Sequence, residues 1–234
     1  MSASRHKYAG SELEIFLHAR KWKRYWAGLI QPFLRGDVLE VGAGIGANTP
    51  LLAGPAVRSW FCLEPDEFLA RCVLASVRDR RCEVVASTID GVVPADRFDA
   101  ILYIDVLEHI GEDAHELEKA ALRLRPAGVL IVLAPAHQWL YSPFDKSIGH
   151  HRRYSRRALA ALTPTGLALK SIRYLDSVGL VLSLANRVIL RASTPTAAQI
   201  QFWDRRVVPM SRVLDGLTGY MIGKSVLAVW EKRG

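Results

Sequence analysis

Two carboxylates flank a glycine turn in this chain. Glu40 closes the apolar run Asp37-Val38-Leu39-Glu40-Val41, and Gly42-Ala43-Gly44-Ile45-Gly46 follows at once. Glycines at such a turn let the backbone bend sharply and let a ligand approach its N–H groups. Glu64 lies about twenty residues beyond the first glycine, at the end of the next apolar run, where an acid can hold the two hydroxyls of a ribose. The pattern Gly42-x-Gly44-x-x-Ala47 fits a dinucleotide cradle as well. Glu40 separates the readings. A dinucleotide fold usually carries an apolar residue at that strand end, whereas a carboxylate facing the pocket suits a cofactor that bears an ammonium group. The plainer reading of Glu40 is a strand-end acid paired with Lys or Arg at the surface.

A second set of reactive side chains stands at the ends of later strands. The run Phe98–Ile104 stops at Asp105, and Glu108 and His109 come just after; the run Val129–Ala134 is followed by His137. A histidine titrating near neutrality is a fitting general base, so His137, His109 and Glu108 are the catalytic candidates. Next comes Gly149-His150-His151-Arg152-Arg153-Tyr154-Ser155-Arg156-Arg157, with four arginines and two histidines in nine residues. Guanidinium forks match carboxylate or phosphate oxygens two at a time. Tyr141, His150, Arg152, Arg153 and Tyr154 are therefore the substrate-side candidates, for an acceptor that is acidic. The alternative is a solvated loop leading into a helix that starts near Ser155. Cys62, Cys72 and Cys82 lack any Cys-x-x-Cys spacing, so neither a disulfide framework nor a metal site is expected.

These groups need a scaffold, and the pattern supplies one. Short apolar strands, predicted over 37–41, 60–63, 82–86, 98–104 and 129–134, alternate with helical runs over 47–52, 68–77 and 114–124. Strand–helix alternation with apolar strands predicts a mostly parallel sheet covered on both faces. Further strands are predicted over 167–175 and 225–230, and helices over 178–192 and 202–217. Before the sheet, Leu13, Phe16, Leu17, Trp22, Tyr25, Trp26 and Leu29 recur at helical spacing, with Lys21, Lys23 and Arg24 between them. The reading is one domain over 1–234: an N-terminal helical arm (1–35), a core (36–177 and 223–234) and a helical insertion (178–222). The arm, with Tyr8, Trp22, Tyr25 and Trp26, is expected to fold over the cofactor mouth. The apolar positions of the insertion fit packing against the core or a homodimer surface.

Three stretches resemble one family. Asp37-Val38-Leu39-Glu40-Val41-Gly42-Ala43-Gly44-Ile45-Gly46 resembles the first motif of the class I S-adenosylmethionine-dependent methyltransferases. Phe98 through Ile110 resembles their fourth strand and the loop after it, and Leu124 through Ala136 the turn and fifth strand. The later part, Pro135 through Leu162, resembles a bacterial type 11/12 subset with varied small-molecule acceptors. The resemblance implies a Rossmann-like α/β fold, with a seven-stranded sheet in the order 3-2-1-4-5-7-6 and only strand 7 antiparallel. It implies S-adenosyl-L-methionine as methyl donor, with Glu40, Gly42 and Gly44 at its methionine end and Glu64 on the ribose. Pro65, Ser87 and Thr88 would lie beside the adenine, and Ile104 and Asp105 beside the sulfonium. The family often has an acid after the third strand; here the residues are Ala86-Ser87-Thr88-Ile89-Asp90.

Composition narrows the classes further. The chain has 234 residues, half of them hydrophobic, 23% charged, with a net charge of +8. That balance excludes a disordered chain and a disulfide miniprotein. No apolar run is long enough to span a bilayer, and the first residues lack the apolar segment of a signal peptide, so a cytoplasmic protein is expected. The basic charge favours an anionic partner. No nucleic-acid-binding module or interleaved stacking aromatics accompany it, so a small-molecule acceptor is expected rather than nucleic acid. The alternatives are a methyltransferase for a lipid-linked or polyprenyl intermediate, an NAD(P)-dependent oxidoreductase, and a cofactor-binding module without catalysis.

Overall fold

A computed structural model describes residues 16–92, 98–185 and 196–233 of the chain. Seven strands form one sheet: β1 (Gly36–Val41), β2 (Val57–Leu63), β3 (Cys82–Val85), β4 (Phe98–Ile104), β5 (Leu124–Pro135), β6 (Leu167–Leu175) and β7 (Ser225–Lys232). Their order is β3-β2-β1-β4-β5-β7-β6. β7 runs antiparallel to both β5 and β6, and the pairs among β1 to β5 are parallel. The predicted strand order therefore holds.

The central strands are apolar on both faces because both faces are covered. Val38, Ala100, Leu102, Ile131 and Leu133 pack into one buried cluster; their neighbours Leu39, Ile101, Tyr103, Leu130 and Val132 pack into the other. This two-residue alternation puts Glu40 on the same face as Val38. That face is roofed by helix α1 (Arg20–Ile30), whose Trp22, Tyr25, Trp26 and Ile30 are buried.

The remaining helices are α2 (Thr49–Leu52), α3 (Glu67–Ser76), α4 (Asp113–Arg123), α5 (Pro143–Ser147), α6 (Arg156–Ala161), α7 (Ser177–Ala185), α8 (Ala197–Phe202) and α9 (Val208–Leu217), with a π-turn over Trp203–Val207 joining the last two. Several bounds differ from the sequence expectation. β2 begins at Val57 rather than Trp60, and the helix expected from Ala47 shrinks to α2 because the loop carries positive-φ backbone at Gly44 and Gly46. β5 starts at Leu124, pairing there with Phe98, and its register slips before Ala100 meets Val129. The helix expected over 178–192 is described as far as Ala185; its remainder, like Tyr8 and most of the arm before α1, lies outside the described residues.

Arm and insertion form one roof. Asp204 accepts hydrogen bonds from the backbone N–H groups of Lys21 (3.1 Å) and Trp22 (2.9 Å), capping α1, whose own Ala19 offers no side-chain cap. The Tyr25 hydroxyl donates to Asp215 at 2.8 Å, and the Trp22 and Trp203 rings lie 5.7 Å apart. Asp215 also accepts from the N–H groups of Asp176 and Ser177, and Asp176 from Trp203 Nε1 and Ser211 Oγ. Each of these three buried acids is thus matched by several donors, as burial of a charge demands.

Candidate functional site

The strand order reverses between β1 and β4, and the carboxyl ends of these strands border a crevice, the place where ligands bind in open α/β sheets. At its floor, β1 passes into the glycine turn. The Gly42 and Ala43 N–H groups both donate to the Leu63 carbonyl, at 2.8 and 3.0 Å, which folds the turn across the end of β2. Gly42 has φ +70°, and a Cβ there would come within 2.6 Å of Val106 Cγ2. Gly44 also has positive φ, 59°, a backbone form that glycine takes without strain.

Glu40 is 1% exposed. Its Oε2 accepts from Thr49 Oγ1 at 2.7 Å and Trp60 Nε1 at 3.0 Å, while its Oε1 has no hydrogen-bond partner among the described residues. Burial pushes its carboxyl above the ordinary range; the bonds from Thr49, Trp60 and Cys62 and the charge of Lys23 pull the other way. Glu40 is not the surface acid of the plainer reading, and no ion pair to it occurs among the described residues. A buried carboxylate oxygen without a donor is costly unless a ligand supplies one.

Glu64 is buried too. Its Oε2 accepts from the Gly44 N–H at 2.8 Å and its Oε1 from the Asp66 N–H at 3.1 Å. These two bonds fix the carboxylate beside the glycine turn and leave each oxygen a second lone pair. Pro65 is exposed beside it, and Asp66 caps α3 by accepting from the N–H groups of Phe68 and Leu69. Ser87 and Thr88 follow β3; Thr88 is exposed, and Ser87 Oγ lies over Gly91. Asp90 is engaged by Lys119 Nζ at 2.7 Å.

The end of β4 carries the other charged groups. Ile104 is buried in the α1-side cluster. Asp105 has φ 54°, which asparagine and aspartate tolerate better than other residues. It opens to the crevice but is hemmed in by protein, and this desolvation pushes its carboxyl up to about 6, against the pull of His150, Lys23 and Lys224. Lys23 is half-buried; burial lowers its pKa, and the charges of Asp105 and Glu40 raise it. α1 therefore carries a cation to the crevice, a role the sequence reading missed. The signal was there: Lys23 shares a helical face with Trp26, Ala27 and Ile30, a stripe otherwise apolar.

Of the catalytic candidates, Glu108 and His109 lie together with His150. Glu108 is wholly buried, and among the described residues neither of its carboxylate oxygens receives a hydrogen bond. Burial, reinforced by Asp105, pushes its carboxyl well above the usual range. The His109 and His150 rings meet edge to face, 4.5 Å apart, and burial, with the repulsion of His150 and His151, lowers His109 to about 4. His137 stands apart from them. Its Nε2 contacts the Gly223 carbonyl at 2.9 Å, so that nitrogen holds the proton, and its ring lies against Trp139 and Tyr174. Burial lowers its pKa as well. Both imidazoles are thus neutral at pH 7, and both are weaker bases than free histidine.

The basic run is engaged with the protein's own acids. Arg152 bonds Asp113 Oδ2 at 2.5 Å and the Gly111 carbonyl at 2.7 Å. Arg153 sets its fork on Asp145, at 2.8 and 2.9 Å. Tyr154 is 2% exposed and donates to Asp113 at 2.8 Å, and Tyr141 donates to the His150 carbonyl at 2.6 Å. Asp145 and Asp113 were unremarkable in the sequence. Asp113 meets Arg152 because residues 137–157 fold onto the segment after β4, and Asp145 meets Arg153 through the turns of that same loop; no local pattern announces either pairing.

The comparisons with known proteins agree with this geometry. A family model described as a methyltransferase domain matches residues 16–169, well over half of the chain. No curated protein matches. Among solved structures, a chain from the Haloferax volcanii complex containing the Trm112 methyltransferase activator superposes with a TM-score of 0.66 at 16% identity, covering 100% of both chains. The plantazolicin methyltransferase BpumL, in complex with S-adenosylhomocysteine, superposes with a TM-score of 0.56 at 12% identity over 94% of this chain and 84% of its own. The [4+2]-cyclase SpnF superposes with a TM-score of 0.60 at 16% identity over 90% and 80%. The glycine turn, its two acids, the sheet order and the family match lead to one conclusion: the chain belongs to the methyltransferase domain family, as a class I S-adenosylmethionine-dependent methyltransferase.

Proposed function

We propose that the crevice binds S-adenosylmethionine and passes its methyl group to an oxygen or nitrogen of a small molecule. The observation that carries this reading is Glu40 Oε1, a buried carboxylate oxygen with no donor, beside the glycine turn. An amino acid's ammonium supplies that donor together with a matching charge; a nicotinamide dinucleotide carries no ammonium group. The bound donor supplies an electrophilic methyl on a sulfonium. Lys23 meets the carboxylate of the same amino-acid end. Glu64, aimed by the Gly44 and Asp66 N–H groups, takes the ribose hydroxyls on its free lone pairs. Pro65, Ser87 and Thr88 border the adenine, and Ile104 and Asp105 the sulfonium.

Transfer of a methyl group from a sulfonium needs alignment more than proton chemistry. α1, fixed by Asp204 and Asp215, covers the crevice and excludes water from it. With Arg152 and Arg153 engaged by Asp113 and Asp145, their part is to hold the loop after β5 in place, and an acidic acceptor loses its main support. A lipid-linked acceptor gains some: Val181, Leu182 and Leu184 on α7 and Met210, Val213 and Leu217 on α9 are exposed.

Calorimetry with S-adenosylhomocysteine and NAD in parallel tests the cofactor half of the reading. Saturable binding of the first and none of the second is expected; the reverse overturns it.

A further inference from the structure

We propose that Glu108, His109 and His150 form a binding site for a divalent first-row transition cation of the zinc class, at the crevice end of β4. One ligand atom from each of the three residues lies within 4.8 Å of the other two. Neither spacing nor cysteine content announces this site, because the ligands come from two loops joined only by folding.

The geometry of the cluster suits a cation. Glu108 is 0% exposed, and neither of its oxygens receives a hydrogen bond. His150 Nδ1 lies 2.9 Å from Asp145 Oδ1, so Nδ1 carries the proton and donates it to the carboxylate. His150 Nε2 stands 3.8 Å from Glu108 Oε1. The two atoms face each other across a gap too wide for a hydrogen bond. Two ligand atoms each about 2.1 Å from a tetrahedral ion stand roughly 3.4 Å apart, so a small contraction closes the gap around a metal. His109 adds a second imidazole, its ring 4.5 Å from that of His150.

The surroundings match those of a metal-bound histidine. Such a histidine usually donates its other ring N–H to a carboxylate that is itself held in place. Asp145 is that carboxylate: Arg153 grips it with two bonds and Ser142 Oγ donates to it at 2.7 Å. The basic run, read from sequence as a substrate clamp, here becomes the brace of a ligand. Two imidazoles and one carboxylate suit zinc, cobalt or iron better than magnesium or calcium, which prefer oxygen alone. Three protein ligands leave one position open to the crevice. That position takes an acceptor oxygen, the one role here that rests on the methyl-transfer reading.

The test is direct metal binding. Chelator-stripped full-length protein is titrated with Zn²⁺ by calorimetry, with Mg²⁺ as comparison and Co²⁺ followed by its visible absorption. One Zn²⁺ per chain is expected, with Mg²⁺ bound at least about tenfold more weakly. His109→Ala, His150→Ala and the isosteric Glu108→Gln should each weaken Zn²⁺ by about tenfold or more, and Asp145→Asn by about 10- to 100-fold. Cys82→Ser, which breaks the 3.6 Å contact with Cys62, should leave it unchanged. Melting curves identify any variant that does not fold. No saturable Zn²⁺ binding to the wild type, or unchanged affinity in folded His109→Ala and His150→Ala, overturns the site. S-adenosylhomocysteine titration of the same stripped protein reports on the methyl-transfer reading separately, since its failure leaves the metal result standing.

Discussion

Replacing Glu40 with glutamine should weaken the cofactor without weakening the fold. The Glu40 carboxylate sits 1% exposed with one oxygen satisfied by Thr49 and Trp60 and the other bare. Glutamine keeps an oxygen for Thr49 and Trp60 and puts an N–H₂ where the bare oxygen was. The free protein no longer buries a charge, so its melting temperature should hold or rise. The bound state loses a charge-assisted bond to the ligand's ammonium and gains two donors facing donors. A hydrogen bond to a charged group contributes about 1.5–3 kcal/mol, which corresponds to roughly 10- to 150-fold in affinity. Calorimetric titration with S-adenosylhomocysteine, paired with thermal melts, reads both effects. An affinity within about threefold of wild type in a folded variant would refute the assignment of Oε1 to the ammonium. A large loss of stability would refute the claim that this oxygen is unsatisfied in the free protein.

Other outcomes follow from the same geometry. Lys23→Met should weaken S-adenosylhomocysteine by about tenfold or more yet leave adenosine, which lacks the amino-acid end, unaffected; equal losses for both ligands in parallel titrations would place Lys23 elsewhere. Asp204→Ala removes the cap that receives the Lys21 and Trp22 N–H groups and should cost about 1–2 kcal/mol in urea unfolding, with looser cofactor binding as α1 frays. Asp37 is held well below its ordinary value of 3.8, chiefly by Arg58, with Ser59 and Arg125 helping. A lowered carboxyl stabilises the fold above its unfolded pKa, and that stability is lost as pH falls through the folded one. Asp37→Asn should therefore destabilise at pH 7 and much less in strong acid; melts showing equal loss at both would contradict the pairing.

The strands were legible because their sequences state their surroundings. Phe98–Ile104 and Leu167–Leu175 were placed to the residue by their apolar runs, and the glycine turn by its own three glycines. Glu40 and Glu64 were singled out because each stands at a fixed offset from that turn, at a strand end. The roof was not. Asp204 caps a helix that precedes it by about 180 residues, and Asp176 and Asp215 are satisfied only by the folded roof; no window of sequence shows such pairs. The basic run misled for the same reason. Arg152 and Arg153 look free beside histidines and arginines; Asp113 comes into reach of Arg152 only when the loop after β5 folds against the segment after β4, and Asp145 reaches Arg153 only when that loop folds on itself. Lys23 was within reach of sequence reasoning, as the one cation on an apolar helical stripe.

The central claim is that this crevice transfers methyl groups to a small molecule. Its most direct measurement is label transfer: full-length protein, S-adenosylmethionine labelled in the methyl group, and separated small-molecule, lipid, nucleic-acid and protein fractions of a cell extract. Label is expected in the small-molecule fraction with the wild-type protein and lost with Glu40→Gln. Label confined to nucleic acid or protein, or absent from every fraction while S-adenosylhomocysteine binds tightly, would contradict the account.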